Sequence, residues 1–502
     1  MKLEPIWRIA AKCHEYPSLK EHISVDVAII GGGITGITTA QLLKKHGFSV
    51  AILESRNIAQ GTTGQSTGNL YALTEYRLKE LTSTYDLETI QQVILARLEA
   101  LEQIRNTVDN FGLDCELHNR NMYLFTTSDK YNIEEERSIA DKLGIPTEDL
   151  SDQHFSFNYT SGLVLHNQAQ LNPLTYVQEL AKHIEDGGVR IYEKTCVEEI
   201  SEADGYVILK GADFEVKAKY AIHATHTPKG LQIPYHTTLG PYREYGIAVK
   251  LRSGNYPDGI YWGHFGSQKY SVRSYERDND KYLICVGSMH KVGQADDNRQ
   301  NIDELSEFVS RHFDVASVAY AWGGQNYKPA DKLPYIGVLK SGSKQFVATG
   351  FSTDGLIYGT VSAKIISDEI AGIRNKFSEI FKANRHQPLK AAKEFVKENA
   401  DVAEKLIGDY FKKGEYLEIN ELLPDEGKLI QREDGKYAVY KDVQGKVTVL
   451  SPICPHMKCT VHWNKAEKTW DCPCHGSRFD TEGRVIEGPS LDGLTPIHET
   501  EG

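Results

Sequence analysis

The sequence predicts a mixed α/β body, in which an antiparallel sheet is inserted into a parallel one, followed by a small all-β domain. Three observations carry this reading. A strand, a glycine turn, a helix and a second strand succeed one another from Val25, and short alternating strands rich in aromatics run between Tyr235 and Tyr320. Hairpin signals then resume at Glu415 after a charged stretch with helical spacing. At roughly 150 residues per domain, the 502 residues of the chain exceed one small core.

Residues 1–24 mix charged and apolar side chains and lack the apolar run of a signal sequence, so they read as an N-terminal extension of a cytoplasmic protein. VDVAII, GGGITG, ITTAQLLKKHG and FSVAILES then give a βαβ unit by period and length, opening a body expected over 25–375. Its most apolar stretch, Val25 to Leu43, contains Asp26, Gln41 and the glycines, which suits a buried strand and helix and not a membrane span. VRIYEKTCVEEI, YVILKG, AKYAIHAT and QFVATGF read as further strands, the last leading into a helix from Gly359 to Ala371. YGIAVKL, YSVRSYE and KYLICVG suggest a separate antiparallel sheet, mainly over 231–325, that would cover a ligand held by the first sheet. Residues 376–414, Lys- and Glu-rich and punctuated by Pro388, read as a helical linker or equally as a solvated helix packed on the body. GKLIQREDGKYAVYKDVQGKVTVL, with DG and QG at turn positions, begins the small β domain of 415–502.

Composition narrows the function classes. Hydrophobic residues at 40% and charged residues at 25% describe an ordinary globular chain. The 57 Lys and Arg against 69 Asp and Glu leave a net charge of -12, which gives no attraction to nucleic acid or anionic lipid. Of the eight cysteines, Cys454, Cys459, Cys472 and Cys474 fall in one short window while the others are scattered. That clustering implies chemistry at the tail.

Gly31, Gly33 and Gly36 fit G-x-G-x-x-G between a strand and a helix, where absent side chains let helix amides approach a pyrophosphate. Glu54 ends the next strand, placed to accept hydrogen bonds from ribose hydroxyls. The alternative is a glycine turn that only packs a helix on a sheet. FAD and NAD share this fingerprint. Gly61-Thr62-Thr63-Gly64-Gln65-Ser66-Thr67-Gly68, Ala224-Thr225-His226 and ATGFSTDGLIYGT from Ala348 resemble motifs of the D-amino acid oxidase, glycine oxidase and sarcosine oxidase superfamily across most of 25–372. The resemblance implies a Rossmann-like two-layer ββα/α FAD-binding domain, with Gly31, Gly33, Gly36 and Glu54 on the adenosine half. It places Thr63, Gly64, Ser66, Thr67, Gly68 and Thr225 toward the flavin, and Gly350, Gly355 and Leu356 along the isoalloxazine. The stretch GGQNYKPADKLPYIG, where some members tether flavin through cysteine, contains none, so FAD is expected to bind noncovalently. By the same resemblance an arginine pairs with a substrate carboxylate, and Arg273 is the candidate catalytic residue. Tyr261, His264 and Tyr327 are candidate neighbours in the pocket, with ordinary aromatic packing as the competing explanation.

The tail reads Cys454-Pro-His456 and, further on, Cys472-Pro-Cys474-His475. Cys454, Cys472, His456 and His475 supply two thiolates and two imidazoles, the donors of a [2Fe-2S] cluster with one sulfur-held and one nitrogen-held iron. A four-coordinate zinc site is the competing chemistry. The segment closely resembles the cytochrome-complex type of Rieske protein, which implies a disulfide between Cys459 and Cys474 under the cluster loops. It also implies a sulfur-directed hydroxyl at Ser477 and a covering loop at Gly488-Pro489-Ser490. Phe479 stands where the highest-potential members carry tyrosine, so a lower potential is expected. His462, Trp463 and Trp470 are expected to be structural.

The combined expectation is an FAD-dependent oxidoreductase acting on a small amine or amino-acid-like substrate. Electrons would pass one at a time through the cluster's exposed histidine edge to an external electron carrier. The alternatives are a reductase running electrons from a partner through the cluster to flavin, and a non-enzymatic redox sensor.

Overall fold

The structure, a computed structural model, describes residues 1–10, 14–151, 157–228, 233–277, 279–295, 297–385, 421–433 and 435–497. The expected linker of 376–414 therefore lies largely outside the described residues, apart from a short helix Ser378–Phe381. Among the described residues no helix is long and apolar enough to cross a membrane.

The first sheet has the order Tyr335–Val338, Gln345–Thr349, Glu215–His223, Ile23–Ile30, Val50–Leu53, Arg190–Tyr192. Its central strands are parallel, with Val27 opposite both Tyr220 and Val50. Val27, Ala28, Ile29 and Ile30 are all buried, as a strand covered on both faces requires. Helix Ile34–Lys45 and helix Gly355–Ile370 lie together against this sheet. Their close approach depends on Gly359, where a Cβ would come within 2.8 Å of the Ile34 side chain. The helix expected from Gly359 thus begins a turn earlier, at Gly355. The stretch VRIYEKTCVEEI is two strands, Arg190–Tyr192 and Glu199–Ala203, because Lys194 takes a left-handed φ of 50° between them.

The second sheet is larger than the expected insertion. Its ten strands follow the order Lys2–Leu3, Val315–Pro329, Leu239–Leu251, Asp280–Lys291, Gln268–Arg277, Ile260–Phe265, His118–Thr126, Ser161–Gln170, Asn69–Leu70, with Glu148–Asp149 beside Ser161–Gln170. It is mixed, not purely antiparallel, since Ile260–Phe265 runs parallel to His118–Thr126. The upstream strands bury Met122, Leu124 and Leu165, covering an edge the 231–325 strands would otherwise expose. The N-terminal extension also joins this layer: Lys2–Leu3 pairs with Tyr320 and Ala321, and fully buried Trp7 donates its indole N–H to the Ser66 carbonyl at 2.7 Å.

The small domain has a three-stranded sheet, Glu426–Arg432, Gly435–Lys441 and Val447–Leu450, and a four-stranded one, His462–Asn464, Thr469–Asp471, Arg478–Phe479 and Val485–Glu487. Trp463 and Trp470 sit 4.9 Å apart between them, and Trp463 fills the space over Gly427, where a Cβ would lie 2.4 Å from its ring. Both tryptophans pack the small domain, and His462 pairs with Asp471 in a strand.

Candidate active site and cluster site

A continuous cavity of about 430 Å3 runs from the carboxyl ends of the parallel strands to the inner face of the second sheet. At its first end Gly31 has φ +108° and a Cβ there would meet the Ala224 carbonyl oxygen at 2.4 Å, while one on Gly36 would meet the Gly31 carbonyl oxygen at 2.0 Å. Only glycine fits either place. The following helix is capped by Gly33, which has no side chain to bond its first turn. Gly33, Ile34 and Thr35 line the cavity at this helix N-terminus, where an anion is favoured, and the Ile34 N–H donates to Thr63 Oγ1 at 3.2 Å. Glu54 lines the same end and accepts N–H bonds from Gly32 and Arg56, both at 2.8 Å. Gly31, Gly33, Glu54, Thr63, Ser66, Thr67, Thr225, Gly355 and Leu356 all line the cavity. Gly36, Gly64, Gly68 and Gly350 lie behind it and shape the turns that do.

The cavity wall holds buried polar atoms with no partner among the described residues: Gln65 Oε1, Thr227 Oγ1, Asn326 Oδ1 and Thr353 Oγ1. Each costs free energy unless a polar ligand answers it.

In the small domain, Cys454 and Cys472 are buried with their sulfurs in hydrogen-bond contact. The Cys472 hydrogen bond draws the Cys454 thiol down to about 7 against the effect of burial, helped by the His456 and Met457 amides and by Ser477. The rings of His456 and His475 stand 5.0 Å apart at 82°, and His475 Nδ1 is buried without a partner. Cys459 and Cys474 form a disulfide that ties the two loops together. Of the four clustered cysteines, Cys454 and Cys472 therefore remain as donors alongside two imidazoles.

Residues 26–369 match the family model described as FAD dependent oxidoreductase, and residues 414–498 match that of the Rieske [2Fe-2S] domain. The chain belongs to the FAD dependent oxidoreductase family and carries a C-terminal Rieske domain. It is similar to a Bacillus subtilis (strain 168) protein named as the Rieske 2Fe-2S iron-sulfur protein YhfW, with 30% identity over 98% of this chain and 97% of that one. Gamma-glutamylputrescine oxidoreductase of Escherichia coli (strain K12) is 28% identical over 73% of this chain and 88% of its own. Glycine oxidase from Geobacillus kaustophilus shares the fold with a TM-score of 0.60, at 16% identity over 72% of this chain and 99% of that one.

The residues present fit both groups of this family. The two glycine turns and the orphaned polar atoms suit FAD, and the two sulfurs with the unpartnered His475 nitrogen suit the [2Fe-2S] cluster. The Rieske domain is docked on the FAD-binding body by its own ligand loop. Gln325 Nε2 donates to the Gly476 carbonyl at 2.8 Å, and Tyr327 Oη donates to the His475 and Gly488 carbonyls at 3.2 and 3.1 Å. Gln325 and Tyr327 both line the FAD cavity, and so do Val485 to Gly488 of the Rieske domain. The ligand histidines also face the body. His475 is 4% exposed, and His456 Nε2 lies 3.0 Å from Nδ1 of His236. The Pro228 carbonyl can only accept, so His236 Nε2, 3.1 Å away, carries the hydrogen and its Nδ1 accepts from His456. The expectation of a solvent-exposed histidine edge is thus corrected in part: the interface covers His475, while His456 stays partly exposed beside His236.

Three of the pocket expectations are also corrected. Arg273 is outside the cavity wall, its Nη1 donating to the Thr67 and Leu171 carbonyls at 2.6 and 3.3 Å and its Nε to Ser274 at 3.1 Å. Burial without a carboxylate partner pulls its guanidinium down to about 9. It braces the Thr67–Gly68 backbone from behind. Tyr261 stacks on Tyr123 in the core on the far side of the sheet, and His264 stacks on Tyr131. Tyr327 does line the cavity.

Glu244, Trp262 and Trp322 line the cavity and were missed in the sequence, and Gln65 and His226, which stand inside the motifs Gly61 to Gly68 and Ala224 to His226, line it as well. Period-two alternation in YREYG carries the signal for Glu244: its neighbour Arg243 is fully buried against Glu467 of the Rieske domain, so Glu244 points the other way. Which face holds the cavity is decided only by sheet register.

Proposed function

We propose that this chain oxidises a small amine or amino-acid-like substrate and delivers the electrons, one at a time, through the Rieske cluster to an external carrier. The observation that carries the reading is the shared wall: Gln325 and Tyr327 face the FAD cavity and hydrogen-bond the loop that bears His475. When bound, FAD supplies a two-electron hydride acceptor and the cluster a one-electron carrier. The chain's own residues do the rest. Gly31, Gly33 and the helix amides behind them hold the phosphates, Arg273 and Trp7 fix the Thr63–Gly68 loop, and the second sheet excludes water above it. The name of the Escherichia coli relative, gamma-glutamylputrescine oxidoreductase, supports an amine as substrate.

The test is an anaerobic screen of amines and amino acids read by flavin absorbance, with the cluster followed by electron paramagnetic resonance on the same sample. A substrate should bleach flavin and then raise the reduced-cluster signal. His475→Ala should keep the first response and lose the second. Complete flavin reduction with a cluster that stays oxidised would refute the electron path, and a screen in which no amine bleaches flavin would refute the substrate class.

A further inference from the structure

Three acidic side chains gather beneath the substrate end of the cavity, and two of them are already answered. Glu75 is paired with Lys328 and accepts the Thr353 N–H at 3.2 Å, while Asp354 is 3.3 Å from Arg97 and accepts the Glu75 N–H. Glu244, the third, lines the cavity and makes no side-chain hydrogen bond or ion pair among the described residues. It stands on Leu239–Leu251 directly opposite Gly324, whose missing side chain keeps the space in front of it open. Trp322 lines the same cavity and offers an aromatic face, which attracts cations, whereas Trp262 and Tyr71, also in its wall, already carry the guanidiniums of Arg77 and Arg97 over their rings at 4.7 and 5.9 Å. The only Lys or Arg among the described lining residues is Arg56, at the nucleotide end beside Glu54.

Resting on the reading of the chain as an FAD-dependent amine oxidoreductase, we infer that Glu244 is the residue that recognises the substrate, and that it selects a cationic amine over a carboxylate. A carboxyl set in the cavity wall, only partly exposed and with no partner, is poorly compensated, and an ammonium placed against it would supply the missing counter-charge and hydrogen-bond donor. Burial, with Glu75 nearby, pushes the Glu244 carboxyl up to about 8 against the pull of Lys328, in keeping with a site that lacks its cation. The same arithmetic disfavours a substrate carboxylate, which would meet a carboxyl and no arginine, since Arg273 is committed to backbone carbonyls.

The experiment uses the FAD-loaded full chain and two probes of one shape and opposite charge, tert-butylammonium and pivalate. Neither has a hydrogen on the carbon bearing its polar group, so neither can be oxidised there, and binding is read as a perturbation of flavin absorbance. The wild-type protein should bind the cation in preference to the anion. Glu244→Gln should weaken the cation by about tenfold or more, and Glu244→Asp should retain part of the affinity. Pivalate binding as tightly as tert-butylammonium to the wild-type protein, or a Glu244→Gln protein with unchanged cation affinity, would overturn the inference. Should Glu244→Gln fail to retain FAD, the charge preference of the wild-type protein and the Glu244→Asp affinity decide. Cation binding without flavin reduction by any amine would leave this inference standing and remove the proposed activity, whereas amine oxidation with equal affinity in Glu244→Gln would do the reverse.

Discussion

Single side chains around the cluster set how readily it accepts an electron. Ser477 is fully buried, hydrogen-bonds toward Cys454 and accepts the Ser490 N–H at 3.0 Å, which fixes its hydroxyl against the ligand sulfur. Phe479 shares a buried group with Cys454, Cys472 and Trp470 but has nothing to donate. A hydroxyl added there would stabilise the more negative, reduced state of the sulfurs. One hydrogen bond is worth about 0.5–1.5 kcal/mol, so Phe479→Tyr should raise the one-electron potential by about 20–60 mV. A potentiometric titration followed by paramagnetic resonance checks this, and an unchanged or lowered potential would count against a hydroxyl-to-sulfur bond at that position.

At the scale of elements, the FAD site is a strand-to-helix turn whose geometry tolerates no side chain. Gly36→Ala would drive a methyl against the Gly31 carbonyl and displace the helix from the turn, a cost of about 1–3 kcal/mol by overpacking. The purified variant should show a lower ratio of flavin to protein at equal total FAD, and a wild-type ratio would mean that the turn does not position the phosphates. This element was legible in the sequence because its signals are local: a glycine spacing, a β-branched run and an acid at the end of the next strand. The Cys and His loops were legible for the same reason, and so was the packing role of Trp463 and Trp470. Glu244 and the true place of Arg273 were not. Ser271 and Arg273 share one face of a strand, yet Ser271 lines the cavity while Arg273, one pleat further on, lies behind the Thr67 loop. That choice rests on how Gln268–Arg277 sits against strands from distant parts of the chain, which no local pattern records. The upstream strands His118–Thr126 and Ser161–Gln170 were hidden likewise, since their partners are long-range.

Across the whole molecule, a buried ion network locks the Rieske domain to the body. Arg243 of the body is fully buried and holds Glu467 with two donors, while Glu487 lies 3.8 Å from it. Within the Rieske domain, Arg478 reaches Asp471, Glu487 and Glu467 at 3.0, 3.2 and 3.3 Å. Two guanidiniums therefore serve three carboxylates, and removing Arg243 leaves Glu467 short of its main partner. Breaking a buried pair from one side costs about 3–5 kcal/mol, so Arg243→Ala should loosen the docking that holds Gly476 against Gln325 and Tyr327. Acid should do the same to the wild-type protein. Burial alone would raise the Glu467 carboxyl, yet Arg243 and Arg478 hold it at about 2, below its ordinary 4.5. A carboxyl depressed on folding stabilises fully above its unfolded value and loses that contribution as pH falls toward the folded one. Docking should therefore weaken between about pH 4.5 and pH 2 in the wild-type protein, while in Arg243→Ala it should be weak already at neutral pH with a flatter dependence on acid. The rate of flavin-to-cluster electron transfer after photoreduction, measured across that range, reports the docking directly. Coincident pH profiles for the two proteins would show that this ion network does not hold the redox domains together.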